Sequence, residues 1–181
     1  MNTKDIINCG LVLSIIAAIS GGLIALTVSF TYPIIEARAA ENEAFILKSF
    51  LPEATNFEEK QLDNGPNFFV GYHEGQIEGY VIEIQKNGYG GAVTSLIGCD
   101  ADGQIIGVNV TTHSETATIG GEVFKNKEFM DQFIGKNPDS HLVYGQSIQG
   151  RTSATLSSKA VSNAVIDAMH YFADIQKAVT N

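Results

Sequence analysis

Hydroxyl side chains crowd one stretch of this chain, Thr152-Ser153-Ala154-Thr155-Leu156-Ser157-Ser158, which follows Gly150 and leads into a run of helical periodicity. Small residues at a helix start leave backbone N–H groups open, and such groups bind anions, phosphates above all. A hydroxyl there also has a plainer use, since Ser and Thr cap the orphan amides of the first turn. Two other stretches have the composition of ligand loops. Asn87-Gly88-Tyr89-Gly90-Gly91-Ala92-Val93 is too rich in glycine for a regular element; it is either a flexible turn or a place where backbone passes close to a ligand. Thr112-His113-Ser114-Glu115-Thr116-Ala117-Thr118-Ile119-Gly120-Gly121 gathers a carboxylate, an imidazole and several hydroxyls. Its simplest reading takes His113 and Glu115 as solvated loop residues or as a local hydrogen-bonded pair.

The hydroxyl stretch resembles the flavinylation motif of the FMN-binding domain found in the G subunit of Rnf electron-transport complexes and in the related C subunit of sodium-pumping NADH:quinone reductases. That motif is an Asp, two variable residues, then SGAT. On this chain Gln149 takes the Asp place, Thr152 the Ser, Ser153 the Gly, Ala154 the Ala and Thr155 the modified Thr, so that Gln149 and Ser153 depart from it. The resemblance implies one FMN, covalently joined to Thr155 through a phosphoester, with Thr152, Ser153, Ala154, Leu156, Ser157 and Ser158 about the phosphate. The loop after Thr112 resembles the family's HxETPGLG, with Ala117, Thr118 and Ile119 replacing Pro, Gly and Leu. It implies that Glu115, Thr116 and Thr118, rather than His113, line the flavin. A similar GYGG-like stretch in the family places Tyr89, Gly90 and Gly91 beside it.

An electron carrier is the function so implied, within a membrane complex that links ferredoxin and NAD to sodium or proton movement. Its partners would be the other subunits of the complex (A, B, C, D and E) and, during maturation, a flavin transferase that uses FAD and releases AMP. Two rival readings belong to other classes. One is a membrane-tethered assembly module without covalent flavin, prompted by Gln149, Ser153 and the altered loop. The other is a free-standing flavin enzyme, which lacks any visible nicotinamide fingerprint.

The elements that would carry these residues are partly legible. The 181 residues, with a net charge of −9 and 44% hydrophobic content, suffice for one domain with a real core and one additional segment. That segment is residues 6–35, which hold no charged side chain and exceed the roughly 20 residues of a membrane-spanning helix. A cleavable signal peptide is the competing reading, but its apolar region is normally about 7–15 residues long. Lys4 against Arg38 leaves the orientation undecided; the resemblance places the following domain on the extracytoplasmic side of the cell membrane. The acid surplus excludes nucleic acid as a natural partner.

The resulting division is a leader and transmembrane helix (1–35), a juxtamembrane helix (36–55) and an extracytoplasmic FMN-binding domain (56–181) of the α+β class, with an antiparallel sheet and flanking helices. Pro33 marks or kinks the first helix, and residues 34–51 form a second helix or its continuation. Residues 56–67 read as a polar loop. Phe68–Tyr72 and Gly79–Ile84 form a hairpin, and Asp102-Gly103 turns a second between residues 95–99 and 105–110. Phe124–Phe133 is helical with Phe129 and Phe133 inward, and Leu142–Tyr144 is an edge strand. Lys159–Val179, with Val161, Ala164, Val165, Ala168, Met169 and Phe172 at intervals of three and four, is an amphipathic helix with Thr155 before or within its first turn. Cys9 falls in the membrane helix and Cys99 in a strand, too differently placed for a disulfide.

Overall fold

Helix α1 (Thr3–Phe50) opens the computed structural model, which describes residues 3–113, 115 and 120–180. The chain divides after Ala44 into two compact units. In the first, the large apolar side chains from Ile7 to Ile35 are exposed, and among the described residues α1 is the one helix long and apolar enough to cross a bilayer. Its hydroxyls bond within the helix: Ser14 Oγ donates to Gly10 O and Thr27 Oγ1 to Leu23 O, each at 2.9 Å. Polar groups satisfied in this way can lie in hydrocarbon. The helix does not end at Pro33 but continues through it.

The second unit, Phe45–Asn181, is built on a five-stranded antiparallel meander in the order β1-β2-β3-β4-β5. Its strands are β1 (Asn56–Gln61), β2 (Asn67–His73), β3 (Gln76–Asn87), β4 (Ala92–Asp100) and β5 (Ile105–His113). Both expected hairpins are present. Glu74 and Gly75 (φ 49° and 82°) turn β2 into β3, as a two-residue turn with positive φ at both positions does. Between β4 and β5, Asp100 Oδ1 accepts from the N–H groups of Asp102 (3.0 Å) and Gln104 (2.8 Å).

Side chains alternate between two covered faces. Phe68, Val70, Tyr80, Ile82, Ile84, Ile97 and Cys99 meet the long helix α4 (Thr155–Thr180) in the main core. Tyr80 and Phe172 pack edge to face at 5.5 Å. On the opposite face Phe69, Val81 and Leu96 form a second core with Ile46, Leu47, Leu51 and Ala54. The seat for that segment is paved with glycine. Gly98 pairs with Gly107 and Gly71 with Gly79 across the strands. A β-carbon at Gly98 would meet Phe50 Cγ at 2.7 Å, one at Gly107 would meet Phe50 Cδ1 at 2.5 Å, and one at Gly71 would meet Leu51 Cδ1 at 2.6 Å. Phe50 and Leu51 thus lie on the sheet because these paired positions carry no side chain.

Three expectations require correction. Residues 56–61 are not loop but strand β1, whose exposed Glu58 and Glu59 protect the sheet edge while Phe57 alone turns toward the second core. The helix expected at 124–133 is two short ones, α2 (Gly120–Lys125) and α3 (Lys127–Asp131), broken where Asn126 Oδ1 accepts from Phe129 N at 2.8 Å. Phe129 and Phe133 are nevertheless core residues, 2% and 0% exposed. Leu142–Tyr144 forms no edge strand; Tyr144 makes an isolated bridge with Ile148.

Candidate functional site

Three segments far apart in the chain meet at one carboxylate. Residues 88–91 close the β3–β4 hairpin, with Gly88 N–H donating to Gly91 O at 2.8 Å and Gly91 at φ 136°. Into this turn reaches Glu115, 8% exposed, whose Oε1 accepts from Tyr89 N–H at 2.6 Å. A β-carbon at Gly88 would run into Glu115 Oε1, and one at Gly120 would run into Oε2 while standing 2.8 Å from Ser157 Oγ. The carboxylate therefore fills space between the glycine turn, the first turn of α2 and the first turn of α4. Bare glycine at 88 and 120 is what admits it.

Glu115 is thereby engaged with backbone, not held free in a solvated loop, and His113 does not bond to it. The His113 ring, exposed, lies against Phe124 with ring centres 4.8 Å apart and planes inclined at 54°. Thr116 and Thr118, the other expected ligands of this loop, lie outside the described residues, as do Ala117 and Ile119.

The hydroxyl stretch begins with a single 3-10 turn, Thr152–Ala154, and Thr155 is the first residue of α4. Its hydroxyls divide by direction. Ser158, fully buried, accepts from Arg151 N–H at 3.2 Å and donates to Ala154 O at 2.9 Å, so it holds the turn. Ser157 is buried against Gly120. Thr152, Thr155 and Leu156 are exposed, Ala154 is buried, and of Ser153 only the backbone is described. Gly150 is required by Tyr144, whose hydroxyl occupies the place of a β-carbon and donates to Thr155 O at 3.5 Å. Lys159 Nζ stands 5.5 Å from the centre of the Tyr144 ring, one turn beyond Thr155.

These residues suit a flavin phosphate. The first turn of α4 contains no acid, the helix start favours an anion, and the exposed cations Arg151 and Lys159 stand on either side of Thr155 in sequence. An apolar ring would also find cover. Tyr89, 78% exposed, and Leu156, 52% exposed, stand on the two segments that Glu115 and Ser157 join. The three segments stood out in the sequence by composition, and only the family resemblance implied that they share a ligand; Tyr144, whose only signal was a short apolar run, and the bracing role of Glu115 were missed.

Comparison with known proteins gives the arrangement its place. Residues 88–170, from the glycine turn into α4, match the FMN-binding domain family, and residues 1–49 match the RnfG N-terminal region. The G subunit of the ion-translocating oxidoreductase complex of Methanosarcina acetivorans is 30% identical over 94% of this chain and 96% of its own length. The G subunit of the Na(+)-translocating ferredoxin:NAD(+) oxidoreductase complex of Acetobacterium woodii is 26% identical, with 96% and 95% covered. Its proton-translocating counterpart from Clostridium ljungdahlii is 27% identical, with 87% and 86% covered. With the two family regions in this order and a relative at that identity along almost its full length, the chain belongs to the G-subunit family of ion-translocating oxidoreductase complexes.

Proposed function

We propose that the chain is a membrane-anchored electron carrier whose Thr155 bears FMN through a phosphoester, acting within an Rnf-type ferredoxin:NAD oxidoreductase complex that moves sodium or protons. The observation that carries this reading is the convergence on Glu115 of the glycine turn, the α2 start and the α4 start, beside an exposed threonine at an acid-free helix start. Residues 6–35 cross the membrane and the sheet domain stands on the extracytoplasmic side.

Each segment has a separate task. Thr155 supplies the oxygen that keeps the cofactor from being lost. The start of α4, aided by Arg151 and Lys159, lowers the cost of the remaining phosphate charge; an anion there gains about 0.3–1 kcal/mol from the helix field, more when partly buried. Tyr89, Gly90, Gly91 and Leu156 cover the ring, and Glu115 fixes the turn that presents Tyr89. Thr116 and Thr118, which follow Glu115 in sequence, are assigned to the same ligand. When bound, FMN supplies reversible one- and two-electron chemistry, while the protein supplies position and surroundings.

Attachment uses FAD and a separate transferase. Thr155 Oγ bonds to the FMN-side phosphorus, the pyrophosphate P–O bond breaks, AMP leaves with that oxygen, and the hydroxyl proton passes to a base of the transferase. Mass spectrometry of the Thr155 peptide from the natively matured complex tests this. A peptide carrying one FMN ester and a band that fluoresces after denaturation are expected. An unmodified peptide from a fully assembled complex refutes the carrier and leaves a tethered assembly module.

A further inference from the structure

The stretch that leads into Thr155 is held from outside by one side chain. Gln132 stands at the end of α3, beside the core residue Phe133. Its Oε1 accepts from Gln149 N–H at 2.8 Å, and its Nε2 donates to Gln149 O at 3.1 Å and lies 3.5 Å from Phe129 O. A carboxamide carries a donor and an acceptor side by side on one carbon, which is what the N–H and C=O of a single peptide residue require. The Gln149 main chain is thus tied to α3, while its own side chain remains in solvent.

Downstream, Ser158 closes the other end of the segment through Arg151 N–H and Ala154 O. Residues 149–154 are therefore a short loop pinned at both ends, and Thr155 follows immediately. Its outer side is open: Gln132, Gln149 and Arg151 border a cleft of about 340 Å³ with Asn126, Glu128 and Phe129.

We propose that Gln132 is a positioning residue for the modification of Thr155, holding the loop in the shape in which the threonine oxygen meets the phosphorus of FAD on the transferase. This role rests on the Thr155 reading above. Bond formation at phosphorus demands alignment, and a displacement of about 1 Å can cost on the order of a hundredfold in rate. Gln132 does not touch the reacting atoms. It acts through the main chain of Gln149.

The test uses the full chain in detergent with purified flavin transferase and FAD, following the mass of the Thr155 peptide over time, well below the melting temperature of every variant. Gln132→Met keeps length and loses both hydrogen bonds; Gln132→Glu keeps an acceptor for Gln149 N–H and loses the donor. The Met variant should lower kcat on the order of ten- to a hundredfold, the rate equivalent of two net hydrogen bonds, without a change in KM for FAD. The Glu variant should fall between it and the wild type. Amide exchange should accelerate at Gln149 and its neighbours in the Met variant and leave the strands unchanged. A Met variant modified at the wild-type rate overturns the proposal, as does a loss that appears only as a raised KM for FAD or only as a lower melting temperature. A wild-type chain that stays unmodified overturns the Thr155 assignment itself, and this role with it.

Discussion

Replacing Gly107 by alanine should harm the protein in one background and not in another, because its neighbour is a single ring. The added β-carbon would stand 2.5 Å from Phe50 Cδ1, closer than any real contact, so the ring must leave its seat or the strand must move. Overpacking of this kind costs about 1–3 kcal/mol, against a gain of about 0.5–1 kcal/mol from replacing glycine inside a strand. Phe50→Ala alone removes a ring that is only partly buried. A fully buried phenylalanine costs about 3–5 kcal/mol to truncate, so about 2 kcal/mol is expected here.

Once the ring is gone, the clash is gone with it, and Gly107→Ala retains only its favourable backbone effect. The double variant should therefore be more stable than the sum of the singles by about 2 kcal/mol. At this chain length that corresponds to roughly 4–8 °C in Tm. Thermal unfolding of the full chain in detergent, followed by near-ultraviolet circular dichroism, measures all four corners of the cycle. Additive effects, within about 0.5 kcal/mol, would refute the glycine seat as the reason Phe50 lies where it does.

Three further outcomes are expected. Thr155→Val should abolish covalent flavin while shifting stability by no more than about 0.5 kcal/mol, since the residue is exposed; in-gel fluorescence and a melting curve read the two separately. Glu115→Ala leaves Tyr89 N–H without its acceptor and should cost about 1–3 kcal/mol, with faster amide exchange at Tyr89, whereas Glu115→Gln keeps an acceptor oxygen and most of the protection. Burial, with Asp100 adding to it, pushes the Cys99 thiol from its ordinary 9.0 up to about 12. Below pH 9 folded and unfolded chains both keep that proton, and above it the unfolded chain loses it first, so this group withdraws stability between pH 9 and 12. Cys99→Ser should flatten that part of the pH profile, and a thiol reagent should reach Cys99 only on unfolding.

Periodicity made most of the fold legible. The α4 pattern identified six core positions from Val161 to Phe172, all of them buried, because a helix with one covered face repeats every three or four residues. The two hairpins were legible through Gly75 and Gly103, which stand at positive φ. Strand β1 was not, since an edge strand that shows one face to solvent and carries glutamate looks like a loop. The break at Asn126 was hidden because its cap adds no interruption to the apolar spacing of Phe124, Phe129 and Phe133. In the site, the three segments were visible as compositions. What joins them was not: Glu115 bridges 26 residues back to Tyr89, and Gln132 reaches 17 forward to Gln149. No local pattern encodes such pairings. The hydroxyl residues show the same limit, for Thr155, Ser157 and Ser158 are chemically alike in the sequence, yet helix geometry turns the first outward and the other two inward.

The meander has a consequence for how the protein matures. Every strand pairs only with its neighbours in sequence, so the sheet can assemble in step with translation. Thr155, the proposed acceptor, by contrast lies beyond all five strands, on a helix whose apolar stripe has nowhere to rest until the sheet exists. A transferase that reads the pinned loop rather than a linear peptide would therefore ignore nascent chains and load cofactor only onto finished domains, making modification a record of successful folding.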